Sequence, residues 1–204
     1  MPKTITIMEN NVPKQREGNH SDSISTRHFA TEELAKSYFE VVKERLFDIN
    51  HWHKYSGQEK AEFTLYDSSG SAVERLPQLG DFVKIDIPGP GNTTGDGFDW
   101  VLVEDILTGN NDHTDLISMR LRPAVNPLKH KPDTAHFFDE VATSNVVIIR
   151  QGNAISAEVH GRNEKPNVTD VNLIDKVRNT FVAMGGFFGA SKIQWDSFTE
   201  GLIR

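Results

Sequence analysis

The stretch from Ala154 to Asn167, Ala-Ile-Ser-Ala-Glu-Val-His-Gly-Arg-Asn-Glu-Lys-Pro-Asn, begins as an alternating strand and ends in a run that strand propensity does not explain. His160, Arg162, Asn163, Glu164 and Asn167 bring three titratable groups and two amides into one turn after Val159. Such density at the exit of a strand is where binding and chemistry are commonly mounted. His160 and Glu164 have the residue types of an acid/base pair, and the planar fork of Arg162 suits a carboxylate or phosphate. A purely structural reading stands beside this one: an Arg162–Glu164 ion pair, turns held by Asn163 and Asn167, and a strand ended by Pro166. Continued alternation puts His160 and Arg162 on the face opposite Ile155, Ala157 and Val159, unless the strand bulges at Gly161.

His136, in Ala-His-Phe-Phe-Asp, is the third candidate for acid–base work. His51 and His53 would share one side of an extended segment, but their spacing matches no ligand pattern, and Trp52 and Tyr55 beside them suggest a packed junction. No metal site and no cofactor are expected. The loop Pro88-Gly-Pro-Gly-Asn-Thr-Thr-Gly-Asp-Gly97 is glycine-rich, yet Pro90 removes a donor, no helix begins after Gly97, and the Gly-Lys-Ser/Thr ending of a phosphate loop is missing. Phe137, Phe138, Phe181, Phe187, Phe188, Trp195 and Phe198 form an aromatic set beside Gly185, Gly186, Gly189 and Ala190. Such a set either fills a core or lines a ligand cavity. If a cavity exists, its candidate ligand-binding residues are Arg162, Asn163, Phe181, Phe187, Phe188 and Trp195.

The chain that must position these residues has 204 residues, enough to bury a core without staples. It contains no cysteine, which excludes disulfides, thiolate catalysis and Cys-ligated metal. A net charge of -7, with 22 Lys and Arg scattered among 29 acids, argues against nucleic acid as a partner. The first residues carry no apolar signal-peptide core, and no window approaches the roughly 18 to 20 apolar residues of a membrane span. A cytoplasmic, soluble protein is the default expectation.

Residues 3–8 read as a short first strand, and 9–27 as a polar, mobile arm. The domain division is thus 1–28 for the arm and 29–204 for a single α+β domain, with a loop insert near 123–143. From Thr31, an N-cap followed by two acids, the spacing of Leu34, Tyr38, Val41, Val42, Arg45, Leu46 and Ile49 predicts a helix. From Ala61 to His160 the period changes to two and predicts six or seven antiparallel strands, with Trp100–Leu107 and Val146–Ile149 central and a tight turn at Gln151-Gly152-Asn153. A second helix is expected from Asp170 to Met184, and a further amphipathic turn or two through Ile193, Trp195, Phe198 and Leu202.

A helix, a run of antiparallel strands and a C-terminal helix make an α+β layer architecture. In element order it resembles the helix-grip fold of the START and Bet v 1-like (SRPBCC) superfamily, a curved sheet wrapped on a long C-terminal helix. The resemblance implies a cavity for an apolar or amphipathic small molecule between sheet and helix, and the insert at 123–143 departs from the simplest form of that fold. Non-catalytic binding of such a molecule is the preferred reading. The alternatives are an enzyme using His160, Glu164 and His136 on a small polar substrate, and a homodimeric interaction protein.

Overall fold

A computed structural model of the protein describes residues 12–55, 61–86, 95–129, 133–167 and 187–204, with only the backbone course given for 187–194. The expected strand at 3–8, the helix at 170–184 and most of the glycine-rich loop lie outside the described residues.

Seven strands form one antiparallel sheet in the order β1-β7-β6-β5-β4-β3-β2. They are β1 (Asn19–His28), β2 (Glu62–Tyr66), β3 (Phe82–Asp86), β4 (Asp99–Asn111), β5 (Thr114–Pro123), β6 (Thr143–Gln151) and β7 (Ala154–Glu164). Helix α1 (Glu32–Phe47) follows β1 and runs into a 3-10 helix at Ile49–Lys54, and helix α2 (Phe187–Ile203) ends the chain. The α+β expectation of a single antiparallel sheet with an N-terminal and a C-terminal helix therefore holds.

The core lies on one face of the sheet. Val101, Val103, Ile117, Met119, Val146, Ile148, Ile155, Ala157 and Val159 meet Ala35, Phe39, Val42 and Leu46 of α1 and Phe198 and Leu202 of α2. Thr31 caps α1, its Oγ1 accepting the Leu34 N–H at 3.3 Å, as its position before Glu32 and Glu33 predicts. The buried stripe is rotated from the expected one: Ala35, Phe39, Val42 and Leu46 face inward, while Leu34 and Val41 are exposed. Two apolar sets satisfy helical spacing here, and the contact with the sheet selects between them.

His51 and His53 lie on the 3-10 helix rather than on an extended segment. His51 binds Asp48 at 2.7 Å, and the Trp52 between them is fully buried against Phe63 and Phe198. The packed-junction reading of this segment is the one observed. Among the described residues no three His, Asp or Glu side chains come together in a metal-binding group.

The largest departure is β1. Its residues were expected within a mobile polar arm, yet they pair with β7 from His28↔Ala154 to Asn19↔Glu164. Residues 14–17 are also docked, on Asn163. Neither face of β1 offers apolar contrast, because Ser21, Ser23, Ser25 and Arg27 alternate with Asp22, Ile24, Thr26 and His28. Backbone pairing with β7 supplies the order that side-chain burial does not. The segment between β5 and β6 is folded back as well. Trp100 N–H donates to Ala135 O, and Phe138 bridges to Pro166.

Candidate functional site

The run at the end of β7 is divided between the two faces of the sheet. In register, Ser25, Ser23 and Ser21 oppose Ala157, Val159 and Gly161 on the core face, and Asp22 opposes His160 on the outer face. Between Ser21↔Gly161 and Asn19↔Glu164 the register slips, with three steps of β7 set against two of β1. Asn163 makes this bulge in the left-handed region at φ 55, a conformation that asparagine tolerates better than most residues.

The bulge decides where each candidate side chain goes. His160 stays on the outer face, as the alternation predicts. Its Nδ1 lies 2.6 Å from Asp22 Oδ1 and its Nε2 2.8 Å from Glu158 Oε2. Burial lowers the pKa of this ring, but the bonds to Glu158 and Asp22 outweigh it, so the net shift is upward. With both nitrogens turned to carboxylates, the charged imidazolium donating twice is the form that fits. Arg162 joins the same cluster, 2.7 Å from Asp22 Oδ1, and its Nη1 donates to Gly161 O at 2.7 Å. For Asp22, desolvation is outweighed by His160 and Arg162, and its carboxyl is held below the usual range.

Glu164 goes the other way. After the bulge its side chain returns to the core face and lies over Gly161, where a Cβ would come within 2.7 Å of the Glu164 Cδ. Glu164 Oε1 accepts from Ser21 Oγ at 2.9 Å, while Oε2 is buried with no hydrogen-bond partner among the described residues. The residue is 5% exposed. Burial raises its pKa against the Ser21 bond and the charges of Arg162 and His20. The Arg162–Glu164 ion pair expected from sequence is therefore not formed, because the two side chains leave β7 on opposite faces.

Asn163 is committed to the chain before β1. Its Oδ1 accepts the N–H groups of Arg16 (2.7 Å) and Glu17 (3.2 Å), its own N–H donates to Gln15 Oε1, and its Nδ2 donates to Lys14 O. Asn167 pins the insert through Thr134 O and His136 O, both at 3.0 Å. His136 is buried and stacked on Phe137, and its Nδ1 accepts the Phe138 N–H. Burial drives its pKa down to about 3, so the ring is neutral near pH 7. No hydrogen bond joins His136 to His160 or Glu164, and the three residues do not form one acid–base set. Trp195 packs against the core beside Phe198. Phe181 lies outside the described residues, as do the side chains of Phe187 and Phe188.

Sequence reasoning missed Ser21, Asp22, Ser23 and Ser25. The signal it could have used is the strict alternation of serine through residues 21–25. On the core face these serines lie beneath α2, where Ser25 and the fully buried Thr199 share a hydrogen bond of 2.9 Å. At the far end of the sheet, a groove of about 160 Å³ runs between α1 and the β4–β5 hairpin. Glu40, Lys43 and Asp115 make its lining polar.

No protein-family model matches the chain, and no curated protein matches its sequence. Among solved structures it is similar to a hypothetical protein from Helicobacter pylori, at 12% identity and a TM-score of 0.47, over 92% of this chain and 87% of that one. It is also similar to the ginseng major latex-like protein 151 from Panax ginseng, at 11% identity and a TM-score of 0.37, over 91% and 97% of the two chains. A third is a truncated norcoclaurine synthase from Thalictrum flavum, at 12% identity and a TM-score of 0.28, over 89% and 96%. The helix-grip arrangement itself is read from the strand order and from the helices on one face. No described helix is long and apolar enough to cross a membrane.

Proposed function

We propose that the protein binds an apolar or amphipathic small molecule between the core face of the sheet and α2. One observation carries the reading: the β1–β7 edge under α2 is built from small and polar side chains. Beside Ile155 and Val159, Ser21, Ser23, Ser25 and Ala157 occupy positions where a packed interior normally places large apolar groups. Elsewhere the same face carries Val103, Ile117, Met119, Val146 and Ile148. A strip of small residues with a buried carboxyl at one end suits a ligand pocket, which is mostly apolar with a few fixed polar groups.

Native mass spectrometry of the purified protein, before and after organic extraction, together with displacement of a fluorescent apolar probe, tests the proposal. Wild-type protein is expected to take up the probe saturably, and Ser23→Leu, which fills the strip, to lower that uptake about tenfold. Absence of saturable uptake by wild type, with no co-purifying molecule, ends the reading. The acid–base alternative draws no support from the geometry, since His160 is occupied by two carboxylates on the outer face and His136 is buried elsewhere.

A further inference from the structure

We infer that Glu164, held by Ser21, is the polar anchor of this site and reads an uncharged head group bearing an acceptor oxygen, a carbonyl or a hydroxyl. The inference rests on the ligand-binding reading above and adds the chemistry of the ligand.

Three features are needed to bring a carboxyl to this place. Gly161 leaves the hole that Glu164 fills, since a Cβ there would overlap Glu164 Oε1 and Ser21 Oγ. The left-handed Asn163 turns the next side chain back onto the core face. Asn163 is in turn held by four hydrogen bonds to residues 14–17. Ordinary alternation would have placed Glu164 on the outer face, beside Arg162 and Asp22, where a carboxylate is easily accommodated. The chain instead buries it.

A buried carboxyl with an unpaired oxygen is costly unless that oxygen meets a partner. Among the described residues, Glu164 Oε2 is such an oxygen. Oε1 accepts from Ser21, which leaves Oε2 as the atom to carry the proton when the acid is neutral. Burial favours that neutral form. The charged groups around it are Arg162 on β7 and His20 and Asp22 on β1; Asp22 raises its pKa further, while Arg162 and His20 oppose. A neutral acid offers a donor, and its complement is an acceptor oxygen on an uncharged molecule.

The position also fits a ligand lying along the strip. Helix α2 runs in the same sense as β1, with Thr199 at Ser25 and Ile203 O at Arg27. The earlier turns of α2 therefore lie toward Ser21 and Glu164. An apolar tail along Ser23 and Val159, short of the Ser25–Thr199 contact, would put its head at Glu164.

The test uses the full chain and a neutral ketone fluorophore, 6-propionyl-2-(dimethylamino)naphthalene, displaced in turn by dodecane, 2-dodecanone and dodecylammonium at pH 5 and pH 9. Wild type is expected to prefer 2-dodecanone over dodecane by about 5- to 10-fold at pH 5, the worth of one buried hydrogen bond. That preference should shrink at pH 9 as the acid ionises. Glu164→Leu should abolish it at both pH values while still binding dodecane. Glu164→Gln keeps a donor but cannot ionise, so it should retain the preference at both, and it serves if the leucine variant fails to fold. The inference is overturned if Glu164→Leu keeps the ketone preference, if Glu164→Gln follows the wild-type pH dependence, or if dodecylammonium displaces better than the ketone at pH 5. If no competitor and no fluorophore binds wild type saturably, the ligand-binding reading itself fails and takes the anchor with it.

Discussion

Replacing Gly161 by alanine probes the geometry on which the site depends. The backbone there lies outside the left-handed region, so the effect is steric: the new methyl would collide with Glu164 Oε1 and Ser21 Oγ. The carboxyl has to swing away, losing the Ser21 hydrogen bond, worth about 1 kcal/mol, and repacking in a buried space costs roughly another 1 kcal/mol. A total of about 2 kcal/mol lowers the melting temperature by roughly 4–8 °C in a domain of this size. Urea and thermal unfolding of Gly161→Ala, Glu164→Ala and the double variant form a cycle. In the Glu164→Ala background the methyl enters vacated space, so its cost should fall by about 1 kcal/mol or more. Gly109→Ala, where nothing lies within 4 Å of the added Cβ, serves as the control and should be neutral. A Gly161→Ala cost below about 0.5 kcal/mol, or one unchanged without Glu164, would refute the inward placement of the carboxyl.

The buried His136 and the half-buried His160 should titrate in opposite senses. His160 has a raised pKa, so its contribution to stability is complete below the unfolded value near 6.5 and fades as pH rises through the folded one; in His160→Gln that decline should vanish. His136, with a folded pKa of about 3, instead makes the protein less stable as pH falls from about 6.5 toward 3, and its ring resonances in NMR should not move above pH 5. Arg150 is fully buried, bonded to Asp115 Oδ2 at 2.5 Å and Glu32 Oε1 at 2.8 Å. Arg150→Met should cost about 1–2 kcal/mol in chemical unfolding through the lost Asp115 bond, since both carboxylates keep access to solvent, and no measurable loss would show that the clamp does not tie α1 to the sheet.

Much of the fold was legible because period and composition agree. Val83 and Ile85, then Ile117, Met119 and Leu121, then Ile155, Ala157 and Val159 alternate cleanly, and each set lies on the core face. Gln151-Gly152-Asn153 is the turn between β6 and β7, with Gly152 at φ 55. Strand β1 was not legible, because serine and charge on both faces give no hydrophobic contrast. The site was half legible. The alternation placed His160 and Arg162 outward correctly, whereas the fate of Glu164 depended on a bulge.

Sequence alone determined the class of object: an α+β chain without cysteine chemistry, a capped helix at Thr31, and a dense polar run where a strand ends. These features follow from local propensity and from periods of two and 3.6, which the residues carry wherever the chain goes. Tertiary structure decided which face each polar group took. Asp22 was needed to hold His160 and Arg162, Ser21 to receive Glu164, and residues 14–17 to fix Asn163. These partners lie about 140 residues away along the chain. A single residue of extra strand, at Asn163, reverses the direction of every side chain after it, and the slip is seen only in the pairing of β7 with β1.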